Sequence, residues 1–347
     1  MLIPEAFRAK VAGRPADDRT ARPIDGDAWL AALPRLVDEH LNRWDLTLDG
    51  EPRFGENALV LPVVGEGRPS THPVGSGARG LGAAAHGALG TRSGAGLDAG
   101  REGLARMAMK LGWPHVEADQ EHLALRLWDG EGAVRLIAAN PAADVLLLER
   151  LDADRPLSST SVLESCEAIG ELFRRLDREG TPQFQTVAHK AERWRRQLAD
   201  VGRAVSPRLV EQALSTLDDL LASAPEGRLV HEDLHDENAL APLDPTRGGW
   251  LAIDPKPVVG EWEYAVAPVV WNRFEEAAKA HNLRAHVRLR ADVVADAAGL
   301  DLDRTYAWTF IRLVLNAVWA TEYLPGSSDF LGRMITLAKA FADPPDW

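Results

Sequence analysis

The stretch His231-Glu232-Asp233-Leu234-His235-Asp236-Glu237-Asn238 concentrates side chains that can do chemistry. It contains the spacing H-x-D-x-x-x-x-N. A second aspartate, Asp254, ends the short apolar run Trp250-Leu251-Ala252-Ile253. Phosphoryl transfer to a hydroxyl uses such a set. One carboxylate accepts the proton of the attacking hydroxyl, while an asparagine and a second aspartate hold the magnesium ions that neutralise the nucleotide phosphates. The spacing has a physical sense. Asp233 and Asn238 can project from one short loop, and Asp254 can return beside them through a hairpin.

The same octapeptide also reads as H-E-x-x-H. On a helix, His231 and His235 would share a face and hold zinc, with Glu232 as general base. A third reading needs no catalysis: a polar loop whose histidines cap backbone groups. Context decides between them. Arg228-Leu229-Val230 reads as a short strand leading into a polar loop, and Pro242 limits any helix beyond it. The zinc reading wants a helix there and a third ligand such as Glu261 or Glu263. It also leaves Lys110, Asn238 and Asp254 without roles.

A kinase-type site further needs a strand lysine for the α and β phosphates and a helix carboxylate to hold that lysine. Lys110 falls within the apolar stretch Met107 to Gly112, read as a strand, and Glu121 lies on the helix read over His115 to Trp128. As an isolated pair they would be a solvated lysine and an ordinary helix glutamate. Their order relative to the H-x-D loop gives them the nucleotide-side reading.

The elements around these residues can be read from periodicity. Asp27 to Asn42 has apolar residues at helical spacing. Trp44 to Val64 reads as strand, turn, strand. Residues 65–106 are dense in Gly, Ala, Ser and Arg and have no aromatics, which predicts a flexible insertion between two strands with a short helix near Ala99 to Arg106. Further strands are expected at Ala133 to Ile137 and Val145 to Leu148. Ser161-Val162-Leu163-Glu164 is a capping box opening a helix that runs to Gly180. More helices are expected at 185–199, 206–221, 284–298, 303–322 and 329–342. The sequence therefore predicts an α+β chain: an N-terminal lobe, 1–150, of strands with one helix, then a mainly helical C-terminal lobe, 151–347, carrying the catalytic loop and acceptor site.

Composition narrows the classes. Hydrophobic residues make up 46% and charged residues 26%, ordinary for a globular protein. The net charge of −13 argues against general nucleic-acid binding and permits attraction of a cationic small substrate. The longest apolar runs are too short to span a bilayer, and the opening residues lack a secretion-signal pattern. The single cysteine, Cys166, rules out an internal disulfide and fits a reducing cytoplasm. It is expected to be a small buried hydrophobe. A monomer or weak dimer is expected.

With these motifs in place, the chain resembles the aminoglycoside phosphotransferase family, in its streptomycin 6-phosphotransferase and hydroxyurea phosphotransferase branch. The resemblance rests on Ala124 to Leu136, Leu146-Leu147-Leu148-Glu149-Arg150-Leu151, His231 to Asn238, and Leu251-Ala252-Ile253-Asp254-Pro255-Lys256. It implies a protein-kinase-like fold of two lobes, ATP and magnesium as cofactors, and a small-molecule hydroxyl as acceptor. It makes Asp233 the base, Asn238 and Asp254 the metal ligands, and Lys110 and Glu121 the nucleotide-side ion pair. Leu147 to Leu151 become the hinge that meets adenine, with Glu149 and Leu151 as its contacts, and His231 and His235 take structural hydrogen bonds. The carboxylates nearest the loop, Asp236, Glu237, Glu261 and Glu263, are the expected partners of a cationic acceptor. Two departures stand out: Glu232 replaces the glycine usual in the motif, and the 65–106 insertion precedes the strand lysine. They motivate a second reading, a kinase-like protein that binds nucleotide without turnover.

Overall fold

The computed structural model describes residues 3–65, 104–202, 204–323 and 326–342. In chain order, the first elements are α1 (Glu5–Val11), α2 (Gly26–Arg43), β1 (Leu46–Leu48), β2 (Arg53–Phe54), β3 (Ala58–Gly65) and β4 (Ala105–Gly112). Next come α3 (Glu121–Trp128), β5 (Leu136–Asn140) and β6 (Val145–Glu149). The remainder holds β7 (Leu151–Pro156), α4 (Val162–Leu176), β8 (Arg178–Glu179), α5 (Val187–Asp200), α6 (Pro207–Ala222) and β9 (Arg228–His231). It continues through β10 (Ala239–Pro242), β11 (Leu251–Ala252), β12 (Pro257–Gly260), α7 (Ala267–Trp271), α8 (Phe274–Lys279), α9 (Leu283–Ala298), α10 (Leu302–Tyr323) and α11 (Ser328–Phe341).

The chain divides into two compact units. The first comprises Met1–Pro114 and Ile137–Arg150, the second His115–Leu136 and Leu151–Trp347. In the first unit the strand order is β1-β3-β4-β6-β5, with β2 also on β3. Side chains alternate across a strand, so one face of β4 sends Met107, Met109 and Leu111 into the core, each no more than 1% exposed. Phe7, Trp29, Leu33, Leu59, Leu61 and Leu147 join them. Lys110 lies between those core positions in sequence, opposite Val60 on one neighbour and Leu146 on the other, and is itself buried.

The second unit is mainly helical, with two small sheets ordered β11-β10-β7 and β12-β9-β8. The capping box is present: the Ser161 hydroxyl accepts from the Glu164 N–H and the Glu164 carboxylate accepts from the Ser161 N–H. The helix it opens ends at Leu176 rather than Gly180, because Asp177 leaves helical geometry and its carboxylate takes Arg228 and the Trp262 indole N–H. Cys166 is buried in that helix, and burial pushes its thiol up to about 12.

Some expected boundaries move. The helix expected from His115 begins at Glu121, after a turn in which Ala118 and Glu121 donate to the His115 and Ala118 carbonyls, and it groups with the second unit. The strand expected at Ala133 to Ile137 starts at Leu136; Ala133 makes only an isolated parallel bridge to Ala252. Ala105 and Arg106 are strand rather than helix, paired with Gly65 and Val64. The rest of the expected insertion, residues 66–103, lies outside the described residues.

Candidate active site

The catalytic loop starts where β9 runs out of apolar residues. Leu229 and Val230 are fully buried in the strand, and His231 follows, opposite Pro257 of β12. The His231 Nε2 faces the Ile253 carbonyl at 3.1 Å, and its Nδ1 accepts the Asp233 N–H at 3.2 Å. Burial holds its pKa down at about 4 against the opposing effects of the Ile253 carbonyl and Asp233, so the ring is neutral near pH 7. A neutral ring with one donor and one acceptor matches both contacts.

Leu234, with no exposure, anchors the loop beneath. His235 then caps a short turn: its Nδ1 accepts the Glu237 N–H at 3.3 Å, and its carbonyl accepts the Asn238 N–H at 2.9 Å. The Asn238 amide nitrogen donates to the Asp233 carbonyl at 2.9 Å and lies 3.2 Å from His235 Nε2. Both histidines therefore serve the loop backbone and Asn238. The H-E-x-x-H segment runs from strand into loop, not along a helix, so the zinc-hydrolase geometry is not formed.

The hairpin brings Asp254 back. β10 and β11 pair Ala239 with Ala252 and Leu240 with Leu251, and the Ile253 N–H donates to the Asn238 carbonyl at 2.9 Å. Asp254 sits in the left-handed region at φ 53. Asn238 and Asp254 are thus tied by backbone next to each other. Because the Asn238 nitrogen is committed to the Asp233 carbonyl, its Oδ1 is the atom left to meet a cation. An amide oxygen and a carboxylate are hard donors suited to magnesium, which takes one or two protein oxygens and completes its shell with phosphate and water. Among the described residues no group of three His, Cys, Asp or Glu is placed to hold a metal ion. By donor type, the Asn238 amide oxygen and the Asp254 carboxylate would suit magnesium.

Lys256, quoted in the sequence motif but given no role there, completes the cluster. The Glu232 N–H donates to its carbonyl at 3.0 Å, and its ammonium reaches Asp233 Oδ2 at 2.5 Å and lies 3.9 Å from Glu117 Oε2. Burial opposes its charge, but Asp233, Glu117 and Asp254 outweigh burial and hold its pKa above the usual lysine range.

Glu232 points the other way, into the helical unit. It is 6% exposed, pairs with Lys190 and accepts the Tyr264 hydroxyl at 2.7 Å. Burial works against its charge, yet Lys190 and Arg312 overcome that and bring its pKa down to about 2. Arg312 also donates to the Glu232 carbonyl at 2.6 Å and lies over the Tyr264 ring at 4.5 Å. Lys190, Tyr264 and Arg312 were missed because they come from α5, a turn and α10, with no spacing that links them to the motif.

The carboxylates expected to face a cationic acceptor separate into two groups. Asp236 is buried against Arg273 at 3.5 Å; burial opposes its charge, but His235 and Arg273 hold its pKa low. Glu261 is 5% exposed and grips Arg304 with both oxygens, at 2.5 and 2.6 Å. To bind a substrate cation, either would have to release an arginine. Glu237 is exposed, and Glu263 is half-buried, accepting the Asp301 N–H at 3.2 Å, with burial raising its pKa. Lys110 and Glu149 belong to the first unit, Glu121 and Leu151 to the second.

A small antiparallel-sheet unit and a mainly helical unit with this loop and hairpin define a protein-kinase-like small-molecule kinase. Solved structures share the fold: a choline/ethanolamine kinase family protein from Mesorhizobium loti, at TM-score 0.53 and 12% identity over 89% of this chain and 96% of that one, and choline kinase LicA from Streptococcus pneumoniae, at TM-score 0.52 and 10% identity over 88% and 98%. The family model described as aminoglycoside/hydroxyurea antibiotic resistance kinase matches residues 85–323. The chain is 34% identical to streptomycin 6-kinase of Streptomyces glaucescens over 91% of each chain. It is 33% identical to hydroxyurea phosphotransferase of Kitasatospora aureofaciens over 86% of this chain and 76% of that one. The chain belongs to the aminoglycoside/hydroxyurea antibiotic resistance kinase family, and it is a phosphotransferase acting on a small-molecule hydroxyl. Among the described residues no helix is long and apolar enough to cross a membrane.

Proposed function

We propose that the chain moves the γ-phosphoryl group of ATP to a hydroxyl of a streptomycin-type aminoglycoside. The observation that carries this reading is one loop and hairpin in which the Asn238 amide donates to the Asp233 carbonyl and the Ile253 N–H, next to Asp254, donates to the Asn238 carbonyl. The acceptor oxygen forms a bond to the γ-phosphorus, the bond to the departing ADP oxygen breaks, and the acceptor proton passes to Asp233. Asn238 and Asp254 hold magnesium, which when bound neutralises the phosphates. Lys110, Glu121, Glu149 and Leu151 serve the nucleotide, as the family pattern implies. Little covalent work falls to the protein, so rate comes from positioning and charge.

The streptomycin 6-kinase relatives support an aminoglycoside acceptor, and the net charge of −13 suits a dication. Glu237 and Glu117 are exposed, and meeting the acceptor there would leave the arginine pairs of Asp236 and Glu261 intact, with Glu117 shared with the Lys256 ammonium 3.9 Å away. A second reading, a hydroxyurea-type kinase, is supported by the relative of that activity. Labelled ATP with streptomycin, other aminoglycosides and hydroxyurea separates them. Label transferred to streptomycin, with an acceptor KM that rises with salt, is the expected result, because screening acts over about 10 Å at 0.1 M ionic strength. Label transferred to hydroxyurea alone overturns the aminoglycoside assignment. ATP binding without transfer to any acceptor would favour the kinase-like protein without turnover.

A further inference from the structure

Lys256 lies two residues beyond Asp254, in the turn that enters β12. The pairing of Pro257 with His231, and of the Lys256 carbonyl with the Glu232 N–H, sets this lysine across from the catalytic loop by backbone alone. Its side chain is 24% exposed, neither a surface lysine nor a dry one. Among the described residues its ammonium meets Asp233 at Oδ2, 2.5 Å away, and lies 3.9 Å from Glu117 Oε2. A carboxylate has two oxygens. With Oδ2 held by the ammonium, Oδ1 is the one left to receive a hydroxyl. The lysine also places a fixed positive charge among Asp233, Glu117 and Asp254, three carboxylates that would otherwise repel the phosphates of an incoming nucleotide.

We propose that Lys256 is a positioning residue for phosphoryl transfer: it clamps Oδ2 of Asp233 so that Oδ1 takes the acceptor proton, and it offsets the local negative charge. This rests on the reading of Asp233 as the base. Lys256 keeps its protons throughout; the acceptor proton goes to Asp233 Oδ1 as the new oxygen–phosphorus bond forms and the bond to ADP breaks. A compact ammonium suits the task, because an arginine fork would engage both oxygens of the carboxylate.

Such a clamp acts through Asp233, and that gives it a signature beyond loss of rate. Lys256→Met should lower kcat about 100-fold, the cost of misplacing a reacting group by about 1 Å, while the KM for ATP stays within about threefold. Asp233→Asn should lower kcat by about 10³-fold, within the span of general-base effects. The double variant should then match Asp233→Asn alone, because the clamp has nothing left to position. Lys256→Gln retains a donor toward Oδ2 without the charge, and it replaces the methionine variant if that one melts early; its kcat should fall between the parent and Asp233→Asn. Turnover is read both as transfer to streptomycin and as phosphate release from ATP. A Lys256→Met enzyme as fast as its parent, a loss confined to KM, or effects that multiply in the double variant would each overturn the role of Lys256 alone. A parent that neither modifies an acceptor nor hydrolyses ATP overturns the functional reading itself, and the clamp with it.

Discussion

At the scale of single residues, the carboxylate beside the catalytic base is the least expected feature. Glu232 stands where the family motif has glycine, and a buried ion costs several kcal/mol unless it is paired. Here it is paired twice, to Lys190 and to the Tyr264 hydroxyl. Glu232→Ala should destabilise the fold by about 3 kcal/mol, since it strands Lys190 and a buried phenol. Lys190→Met combined with Glu232→Gln should recover much of that loss, because neither charge is then left alone. Urea melts of the single and double variants check this; strictly additive losses would show that the two do not act as a pair. Asp254→Ala carries a different expectation. A metal ligand serves bound nucleotide and transition state alike, so KM for magnesium-ATP should rise as kcat falls. Kinetics restored to the parent's by excess magnesium and ATP would remove it from that role.

At the scale of elements, the site depends on how helices carry their ends and neighbours. α4 leads from its capping box to Asp177, which fastens β9 through Arg228, so its seating bears on the strand that delivers His231. Its midpoint, Gly170, is set against α9 so closely that an added Cβ would lie 2.5 Å from the Ala297 Cβ and 2.8 Å from the Val294 carbonyl oxygen. Gly170→Ala should therefore cost about 1–3 kcal/mol despite the better helix propensity of alanine. A thermal melt that rises instead would mean the two helices can part at no cost. Such contacts also explain what was legible beforehand. The starts of three helices were readable within a residue or two, at Ser161 from its capping box and near 206 and 284 from the pattern of the chain, although the first of them ends four residues before the expected Gly180. The start of α3 was not, because Val116 to Gln120 has helical composition but folds as turns; nothing local distinguishes the two. The spacing of Asp233, Asn238 and Asp254 was legible because one hairpin builds it. The Lys190–Glu232–Tyr264–Arg312 cluster was hidden, because its members meet only through packing of distant helices.

At the scale of the whole molecule, the two groups buried beside the base tie stability to pH. His231 is held down at about 4 in the folded chain against an ordinary 6.5, and Glu232 at about 2 against 4.5. Both folded values lie below the unfolded ones, so the unfolded chain binds protons first as pH falls. Their contributions are complete above about pH 6.5. They are lost in sequence, His231 between about 6.5 and 4 and Glu232 between about 4.5 and 2. Within each window the slope is about 1.4 kcal/mol per pH unit for one proton. For His231 the atomic cause is specific. Protonating Nδ1 would set a new N–H against the Asp233 N–H it now accepts, at the root of the catalytic loop. Urea midpoints should be level from pH 8 to 7 and fall steadily below about 6. His231→Asn, whose amide can still accept from one side and donate to the other, should start from lower stability but fall less between pH 6.5 and 4.5. If parent and variant lose stability in parallel over that range, the acid sensitivity arises elsewhere, and the buried histidine is not the group that sets it.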